Sequence, residues 1–180
     1  VKITRSLLDF SHASKEIFQP VNLNEAVEKV VILIGYEMKL QNTVVEKELD
    51  PDLPLVSGDS QLLQQTIFDM ISNARWAIHK RYQDKDGGRI VIRTGYEPDK
   101  KTVCLVISDN GIGIPKENQD KIFEPFFTTK PVGEGTGLGL SIIYNIITKH
   151  NGTIEVDSQP NQGASFKICL PVLEKENNQG

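Results

Sequence analysis

Cysteine is scarce in this sequence, which argues against the small secreted folds that depend on disulfides. Only 2 of the 180 residues are cysteine, Cys104 and Cys169, and both lie in apolar runs typical of strands. Two isolated cysteines have neither the number expected of a disulfide framework nor the spacing of a metal site. We therefore expect two free thiols in or near the core of a protein in a reducing cytoplasm.

Long apolar runs and an excess of positive charge are missing as well. No run approaches the roughly 18 to 20 apolar residues that a membrane-spanning helix needs, and neither end has a signal peptide or a lipidation motif. A formal net charge of -4 argues against a protein that binds along nucleic-acid phosphates. The 38% hydrophobic and 24% charged residues are typical of one folded globular domain. Because the first residue is Val1, we expect a piece of a longer chain.

Helical and strand-like patterns alternate along the chain. Apolar residues recur at helical spacing in the segments 3–18, 23–40, 60–80 and 140–150. Asn22 and Asp59 are predicted N-caps for the second and third of these segments. Strands are predicted at 43–49, 89–96, 101–108, 153–157 and 164–170. The pattern after residue 20 predicts an α/β fold, a two-layer sandwich of three helices packed on a mixed, mostly antiparallel sheet of about five strands.

Asp69 and Asn73 lie one turn apart on the predicted helix 60–80, so their side chains share a face. Two oxygen-bearing side chains in this arrangement could bind Mg²⁺, which keeps most of its waters and takes phosphate oxygens as further ligands. A solvated helix face is the alternative, and from this pair alone it is the favoured interpretation.

Two glycine-rich segments contain further candidate binding residues. In the first, 109–115, Asp109 can accept a hydrogen bond from an exocyclic amine, while Gly111 and Gly113 let the backbone approach a flat ring. An Asx turn is the alternative interpretation. The second, 133–139, runs straight into a predicted helix, whose N-terminus favours anions such as phosphate. A flexible hinge explains that segment equally well.

An aromatic and polar stretch separates the two glycine-rich segments. Phe123, Phe126 and Phe127 can anchor a mobile lid on the core, and the Thr-Thr-Lys at 128–130 can then meet phosphates. Core packing is the alternative for the aromatic side chains.

The order of these motifs is more specific than any one of them. An asparagine box at Asn73 is followed by Asp-x-Gly-x-Gly from Asp109, Phe-x-Pro-Phe-Phe from Phe123 and Gly-x-Gly-x-Gly from Gly135. Together they closely resemble the catalytic ATP-binding domain of sensor histidine kinases, in the superfamily shared with gyrase-type and mismatch-repair ATPases. The resemblance covers about 20–172, implies a Bergerat-type sandwich, and is strongest to the nitrogen-regulation branch.

The resemblance implies ATP and Mg²⁺ as cofactors and gives individual residues a role. Asn73 would bind Mg²⁺, Asp109 would accept the adenine amine, and a lid over about 126–136 would cover the phosphates. Asn73, Lys130 and Asp69 are the implied catalytic residues. The implied nucleotide-binding residues are Asn73, Ala77, Asp109, Gly111, Gly113, Ile114, Phe123, Thr128, Thr129, Lys130, Gly135, Thr136, Gly137, Leu138, Gly139, Leu140 and Ser165.

Two positions near Asn73 depart from the family pattern. Asp69 stands where many of these kinases have asparagine, and hydrolytic relatives have a glutamate base there. We therefore hypothesise that Asp69 supports some ATP hydrolysis. Trp76 stands where other branches often have a lysine that meets phosphate, a charge that Lys130, Lys80 or Arg81 would supply here.

Ala164 and the histidines depart from the pattern too. Ala164 replaces a threonine that commonly lies near the base, so we assign its role to Ser165. None of His12, His79 and His150 is followed by the acid and proline of a phosphoacceptor box. We expect His12 to be a linker residue and the other two to be solvated.

The resemblance divides the chain into the end of a dimerisation and phosphoacceptor hairpin at 1–19, a catalytic ATP-binding domain at 20–173 and a polar tail at 174–180. It implies a kinase domain that binds ATP and ADP and transfers the γ-phosphoryl group to a hairpin histidine. From there the phosphoryl group would pass to the receiver domain of a response regulator. We expect a cytoplasmic monomer, no nucleic-acid partner and a homodimeric parent protein, whose membrane attachment is left open. A non-catalytic nucleotide-binding module and a hydrolytic ATPase are the alternatives, and a phosphatase role toward the regulator is also open.

Overall fold

The computed structural model describes residues 18–83, 85–131 and 133–173. Its helices are α1 Leu23–Leu40, α2 Ser60–Tyr82, α3 Lys116–Gln119 and α4 Gly139–Lys149. Its strands are β1 Gln19–Val21, β2 Thr43–Glu48, β3 Val56–Gly58, β4 Gly88–Glu97, β5 Thr102–Asp109, β6 Thr153–Gln159 and β7 Gly163–Pro171.

Five strands form the main sheet in the order β2-β4-β5-β7-β6. Strands β2 and β4 are parallel, and the other neighbours are antiparallel. This mixed sheet confirms the predicted α/β sandwich. The short strands β1 and β3 form a separate antiparallel pair that the sequence pattern does not predict, because three residues are too few to show a period.

The two long helices begin where their polar caps predict. The Asn22 side chain accepts hydrogen bonds from the backbone N–H groups of Asn24 and Glu25 at the start of α1. Asp59 does the same for Gln61 and Leu62 at the start of α2. These bonds satisfy N–H groups that have no partner inside the helix, which fixes the first turn.

The core lies between the helices and one face of the main sheet. Ile67 and Ile71 of α2 pack in the same buried cluster as Leu105 and Ile107 of β5. Asn73 lies at the margin of the buried stripe of α2, where it is only partly covered. Packing of the apolar stripe therefore sets the direction in which Asn73 points.

Cys104 and Cys169 form a disulfide, so the expectation of two free thiols is wrong. They stand directly opposite each other in the register of β5 and β7. Alternation along the strand places them on the opposite face from Val103 and Leu105, which are core residues. Sequence spacing could not reveal the pair because 65 positions separate the two residues and only strand register brings them together.

His150 is buried, so the expectation of a solvated side chain is wrong. Its Nδ1–H donates to the carbonyl oxygen of Ile146 at 2.7 Å, and its Nε2 accepts from the backbone N–H of Asp59 at 2.9 Å. The ring of Phe18 stacks on the imidazole at 4.8 Å between centroids. Neighbouring helix ends enclose His150, which chain position alone does not reveal. His79 is exposed, as expected.

The predicted domain boundary between residues 19 and 20 falls inside β1, because Gln19 pairs with Gly58 of β3. Most of the predicted hairpin end and the whole polar tail lie outside the described residues. Within the described ranges, no helix combines the length and the apolar character that a membrane span requires.

Candidate functional site

A cavity of about 320 Å³ opens between α2, the loop after β5, the segment before α4 and the start of β7. Thirteen predicted nucleotide-binding residues line it, and these are Asn73, Ala77, Asp109, Gly113, Ile114, Thr128, Thr129, Lys130, Gly135, Thr136, Gly137, Gly139 and Leu140. Four motifs spread over residues 73–140 thus meet at one site. Asp69, Gly111, Phe123, Leu138 and Ser165 do not line it.

Asp109 stands at one end of this cavity as the last residue of β5. Its Oδ1 accepts a hydrogen bond from the backbone N–H of Gly111 at 2.7 Å. Burial raises the pKa of the carboxyl to about 6, although backbone hydrogen bonds from Gly111 and Ala164 oppose the shift. A carboxylate with so little water around it gains from a further hydrogen-bond donor, such as an exocyclic amine.

The loop after Asp109 is held against the turn between β6 and β7. The Ile114 N–H donates to Ser158 Oγ at 2.8 Å, and the Asn161 N–H donates to the Ile112 carbonyl at 2.7 Å. Gly113 has a φ of +69°, and a Cβ there would lie 2.0 Å from the carbonyl oxygen of Gln159. Only glycine therefore permits this approach, which shapes the wall beside Asp109.

Gly111 packs closely against the backbone of α2 and does not line the cavity. A Cβ at this position would lie 2.5 Å from the backbone carbonyl carbon of Ala77. The Ile112 N–H also donates to the Ala77 carbonyl at 3.2 Å. The first glycine of this motif thus brings the loop against α2 and does not itself face the cavity.

Asn73 and Lys130 meet at the other polar region of the cavity. The Lys130 Nζ donates to Asn73 Oδ1 at 2.9 Å, and burial lowers the pKa of Lys130. An ammonium group therefore occupies the position next to the amide oxygen. Because this oxygen already faces a positive charge, Asn73 is a residue that could hold a cation such as Mg²⁺.

Trp76 and Glu134 form a second polar cluster next to Lys130. The indole Nε1–H of Trp76 donates to Glu134 Oε2 at 3.1 Å, and the Lys80 ammonium lies 3.0 Å from the same oxygen. These hydrogen bonds, that from Trp76 first, lower the pKa of Glu134. The ammonium groups of Lys130 and Lys80 lie 4.9 Å and 5.5 Å from the centre of the Trp76 ring system.

The segment before α4 closes on itself at its base. The Phe126 N–H donates to the Gly137 carbonyl at 2.8 Å. A Cβ on Gly137 would lie 2.4 Å from the backbone of Phe126, so this contact requires glycine. Helix α4 then begins at Gly139 without a side-chain cap, which leaves N–H groups of its first turn for an anion at the cavity.

The family of histidine kinase-, DNA gyrase B- and HSP90-like ATPases matches residues 58–174 of the chain. The chain belongs to this family. Among the similar proteins of the family are the signal transduction histidine-protein kinase AtoS of Escherichia coli K12, 38% identical over 98% of this chain, and the sensory histidine kinase/phosphatase NtrB of Vibrio alginolyticus, 36% identical over 84%. The chain spans only 28% and 43% of the lengths of these two relatives.

Solved histidine kinase structures have the same fold. The catalytic domain of histidine kinase ThkA aligns with a TM-score of 0.73 and 32% identity, covering 87% of this chain and 96% of that one. ThkA in complex with the response regulator TrrA aligns with a TM-score of 0.75 and 26% identity, covering 96% of this chain and 47% of that one. Within the ATPase family, the chain is therefore a catalytic domain of the sensor histidine kinase type.

Two residues that the kinase resemblance assigns to nucleotide binding do not line the cavity and have other contacts. Phe123 packs against Tyr144 with ring centroids 5.7 Å apart. The Ser165 hydroxyl hydrogen-bonds with that of Ser108 at 2.8 Å, while the adjacent Ala164 lines the cavity. Alternation along β7 turns the two neighbours to opposite faces, so the geometry does not support the base-binding role assigned to Ser165.

Asp69 is not among the residues that line the cavity. Burial raises the pKa of its carboxyl, and a hydrogen bond from Gln65 opposes the shift. The carboxyl is thus partly covered by protein, one turn of α2 before Asn73.

Six lining residues were not predicted from the sequence, namely Ala74, Ile112, Pro115, Ile122, Glu134 and Phe166. Alternation could have found Phe166, because it lies two positions after the lining residue Ala164 on the same strand face. No sequence signal marks Glu134 as a partner of Trp76, since the contact depends on how the lid segment folds over α2.

Proposed function

We propose that this chain is the catalytic and ATP-binding domain of a two-component sensor histidine kinase. It binds Mg-ATP and transfers the γ-phosphoryl group to a histidine on a helical hairpin, from which the group passes to a response-regulator aspartate. The observation that supports this most directly is the single cavity that joins Asp109, Asn73 and the lid glycines.

The Asp109 end suits adenine. The desolvated carboxylate accepts the exocyclic amine, and the loop fixed by Gly113 provides a wall for the flat ring. Ile114 and Phe166 add apolar surface. The adenine ring would thus be recognised by one hydrogen-bonding acid in a largely apolar pocket, as is usual for small-molecule sites.

The other end suits the triphosphate. The amide oxygen of Asn73 would hold Mg²⁺, which offsets negative charge on the phosphates when bound. The Lys130 ammonium leaves Asn73 for a phosphate oxygen, and the first turn of α4 offers N–H groups to the same anion. Phosphoryl transfer depends mainly on positioning and charge stabilisation, and these residues contribute to both.

The proposal extends to the partners and the location. Such a domain exchanges ADP for ATP and packs on the dimerisation and phosphoacceptor hairpin of its own protein. The phosphoryl group passes from that hairpin to the receiver domain of a response regulator, and no nucleic acid is bound. We propose a monomer for this chain, a homodimeric parent and a cytoplasmic location. Light scattering tests the first point, since a dimeric mass would contradict it.

Hydrolysis with Asp69 as the base is not favoured, because Asp69 does not line the cavity that contains Asn73. Steady ATP turnover that is lost in Asp69→Asn would contradict this conclusion.

Calorimetric titration of Mg-ATP into the protein tests the proposal. We expect a micromolar Kd, and an affinity loss of about ten- to a hundredfold in Asp109→Asn, because a hydrogen bond to a charged group is lost. Asp99→Asn, an exposed acid in the turn before β5, is the matched control and should bind like the parent. Absence of binding by the unsubstituted protein would contradict the proposal. If binding is found, phosphohistidine formation on an added hairpin tests the transfer step.

A further inference from the structure

Glu134 places a carboxylate against Lys80 and Trp76, and the Lys130 ammonium that the proposed function assigns to phosphate lies over the same Trp76 ring. It accepts a hydrogen bond from Trp76 Nε1 at 3.1 Å and pairs with Lys80 at 3.0 Å. Glu134, Trp76 and Lys130 all line the cavity, together with the second glycine box. A negative group of the protein itself thus lies at the polar end of the site.

The charges of this cluster are arranged around one aromatic ring. The ammonium groups of Lys80 and Lys130 lie within 6 Å of the Trp76 ring centre, where a cation is attracted by the ring electrons. Glu134 binds Lys80 and the edge N–H of the same ring. The two cations are therefore held in place before any phosphate arrives.

A bound triphosphate would change this balance. Its oxygens and the Glu134 carboxylate are both anionic acceptors, so they repel each other and compete for the Lys80 ammonium. Lys130 must also exchange the oxygen of Asn73 for phosphate. Both exchanges would take place beside the Trp76 ring, since Lys80 lies 5.5 Å and Lys130 4.9 Å from its centre.

We propose that Glu134 is an internal counter-ion of the phosphate subsite, which the triphosphate displaces from Lys80 and Trp76. The inference rests on the proposed ATP site and adds a residue that sets its selectivity. Nucleotides with more phosphates displace the carboxylate more completely, so Glu134 weakens ATP binding and leaves adenosine and AMP largely unaffected.

The exposure of the pair limits the size of this effect. The side chains of Lys80 and Glu134 are 34% and 44% exposed, so water screens their attraction. The bond from Trp76 is charge-assisted and adds to the cost of displacement. We therefore expect removal of the negative charge to tighten Mg-ATP binding about three- to tenfold.

Glu134→Gln tests the inference by calorimetry with Mg-ATP, Mg-ADP and AMP. The substitution keeps the shape and an acceptor oxygen but removes the charge. We expect a tighter Kd for ATP, a smaller gain for ADP and no change for AMP. Glu124→Gln, an exposed acid just before the lid, is the matched control and should leave all three unchanged. An unchanged ATP affinity in Glu134→Gln, or an equal gain for AMP and ATP, would overturn the proposal.

Lys80→Gln gives an independent arm of the same test. The variant removes the cation for which carboxylate and phosphate compete. We expect it to weaken ATP binding and to abolish most of the gain from Glu134→Gln in the double variant. Full additivity of the two changes would contradict competition for Lys80.

Fluorescence separates this inference from the proposed function. Trp76 is the only tryptophan in the chain, so its emission reports directly on the cluster. We expect Mg-ATP to shift the emission of the unsubstituted protein, and nucleotide-free Glu134→Gln to show part of that shift already. If the protein binds no ATP, the proposed function fails. If ATP binds while the Trp76 emission is the same in the unsubstituted protein and in Glu134→Gln, each with and without Mg-ATP, only the counter-ion inference fails.

Discussion

The imidazole of His150 accepts a hydrogen bond from the backbone N–H of Asp59 at 2.9 Å. Asp59 is the N-cap of α2, and His150 follows the last residue of α4. Both helices contribute to the cavity, α2 through Asn73 and α4 through Gly139. One buried side chain therefore joins the start of the helix with the proposed metal ligand to the end of the helix with the proposed phosphate site.

Replacement of His150 by alanine should destabilise the fold. The change leaves a cavity where the ring was and removes the partner of the Asp59 N–H, so we expect a loss of about 2 to 4 kcal/mol in the free energy of unfolding. Urea denaturation measures it. His79→Ala, at an exposed histidine, is the control and should change stability by less than about 0.5 kcal/mol. Equal effects of the two substitutions would contradict the structural role of His150.

Gly113→Ala should disrupt the loop beside Asp109. The new methyl group would overlap the Gln159 carbonyl, and φ is positive at this position. We expect a loss of about 2 kcal/mol or more in stability and weaker ATP binding. Gly95→Ala is the matched control, because a Cβ at Gly95 has no heavy atom within 4 Å. Normal stability and ATP affinity in Gly113→Ala would show that the loop can move away from the turn.

Adenine binding should weaken at acidic pH. The pKa of Asp109 is raised to about 6 in the free protein, and protonation replaces the charge-assisted hydrogen bond to the amine by a weaker neutral one. The affinity should therefore fall by about tenfold between pH 7 and pH 5. NMR titration with adenosine avoids the ionisation of phosphate groups in this range. Asp109→Asn should remove the dependence, and an equally steep profile in that variant would point to another group.

The ionised carboxyl of Asp109 should also lower the free energy of unfolding at neutral pH. Because its pKa is raised on folding, the folded state binds the proton more tightly than the unfolded state, and this group's contribution to stability improves as the pH falls from 7 toward 4. Asp109→Asn, which cannot ionise, should be about 1 to 3 kcal/mol more stable than the parent at pH 7. Thermal melting at pH 7 and pH 5 checks this. A variant that is less stable at pH 7 would contradict it.

Reduction of the Cys104–Cys169 bond should lower the stability of the nucleotide-free domain. The bond closes a long loop between β5 and β7, and removing such a cross-link typically costs about 2 to 4 kcal/mol. The pair lies on the sheet face away from the core, so ATP affinity should be nearly unchanged. Melting with and without a thiol reductant measures the effect, and the double variant Cys104→Ala/Cys169→Ala should not respond to the reductant. An identical melting temperature of the unsubstituted protein with and without reductant would mean that the disulfide contributes nothing to the stability of the domain.

Much of the site could be predicted from the sequence because its motifs depend on local chemistry. Asn73, Asp109 and most glycines of the two boxes line the cavity, and they belong to short patterns that can be recognised in the sequence alone. The helix caps Asn22 and Asp59 were predictable for the same reason, since the hydrogen bonds that they make span only two or three residues.

Other features required the tertiary structure because they depend on contacts between distant segments. The register of β5 and β7 joined the two cysteines, and the ends of α2 and α4 enclosed His150. Strand alternation turned Ser165 away from the cavity and placed Phe166 in its lining.

By itself, the sequence determined the α/β class, the long helices and the order of the nucleotide-binding motifs, since these follow from local periodicity and residue chemistry. Only the folded chain decided which charged groups meet. The meeting of Glu134 with Trp76 and Lys80, and of Lys130 with Asn73, depends on how the segment before α4 lies over α2. No local pattern encodes such a contact, because its energy exists only when packing brings the two segments together.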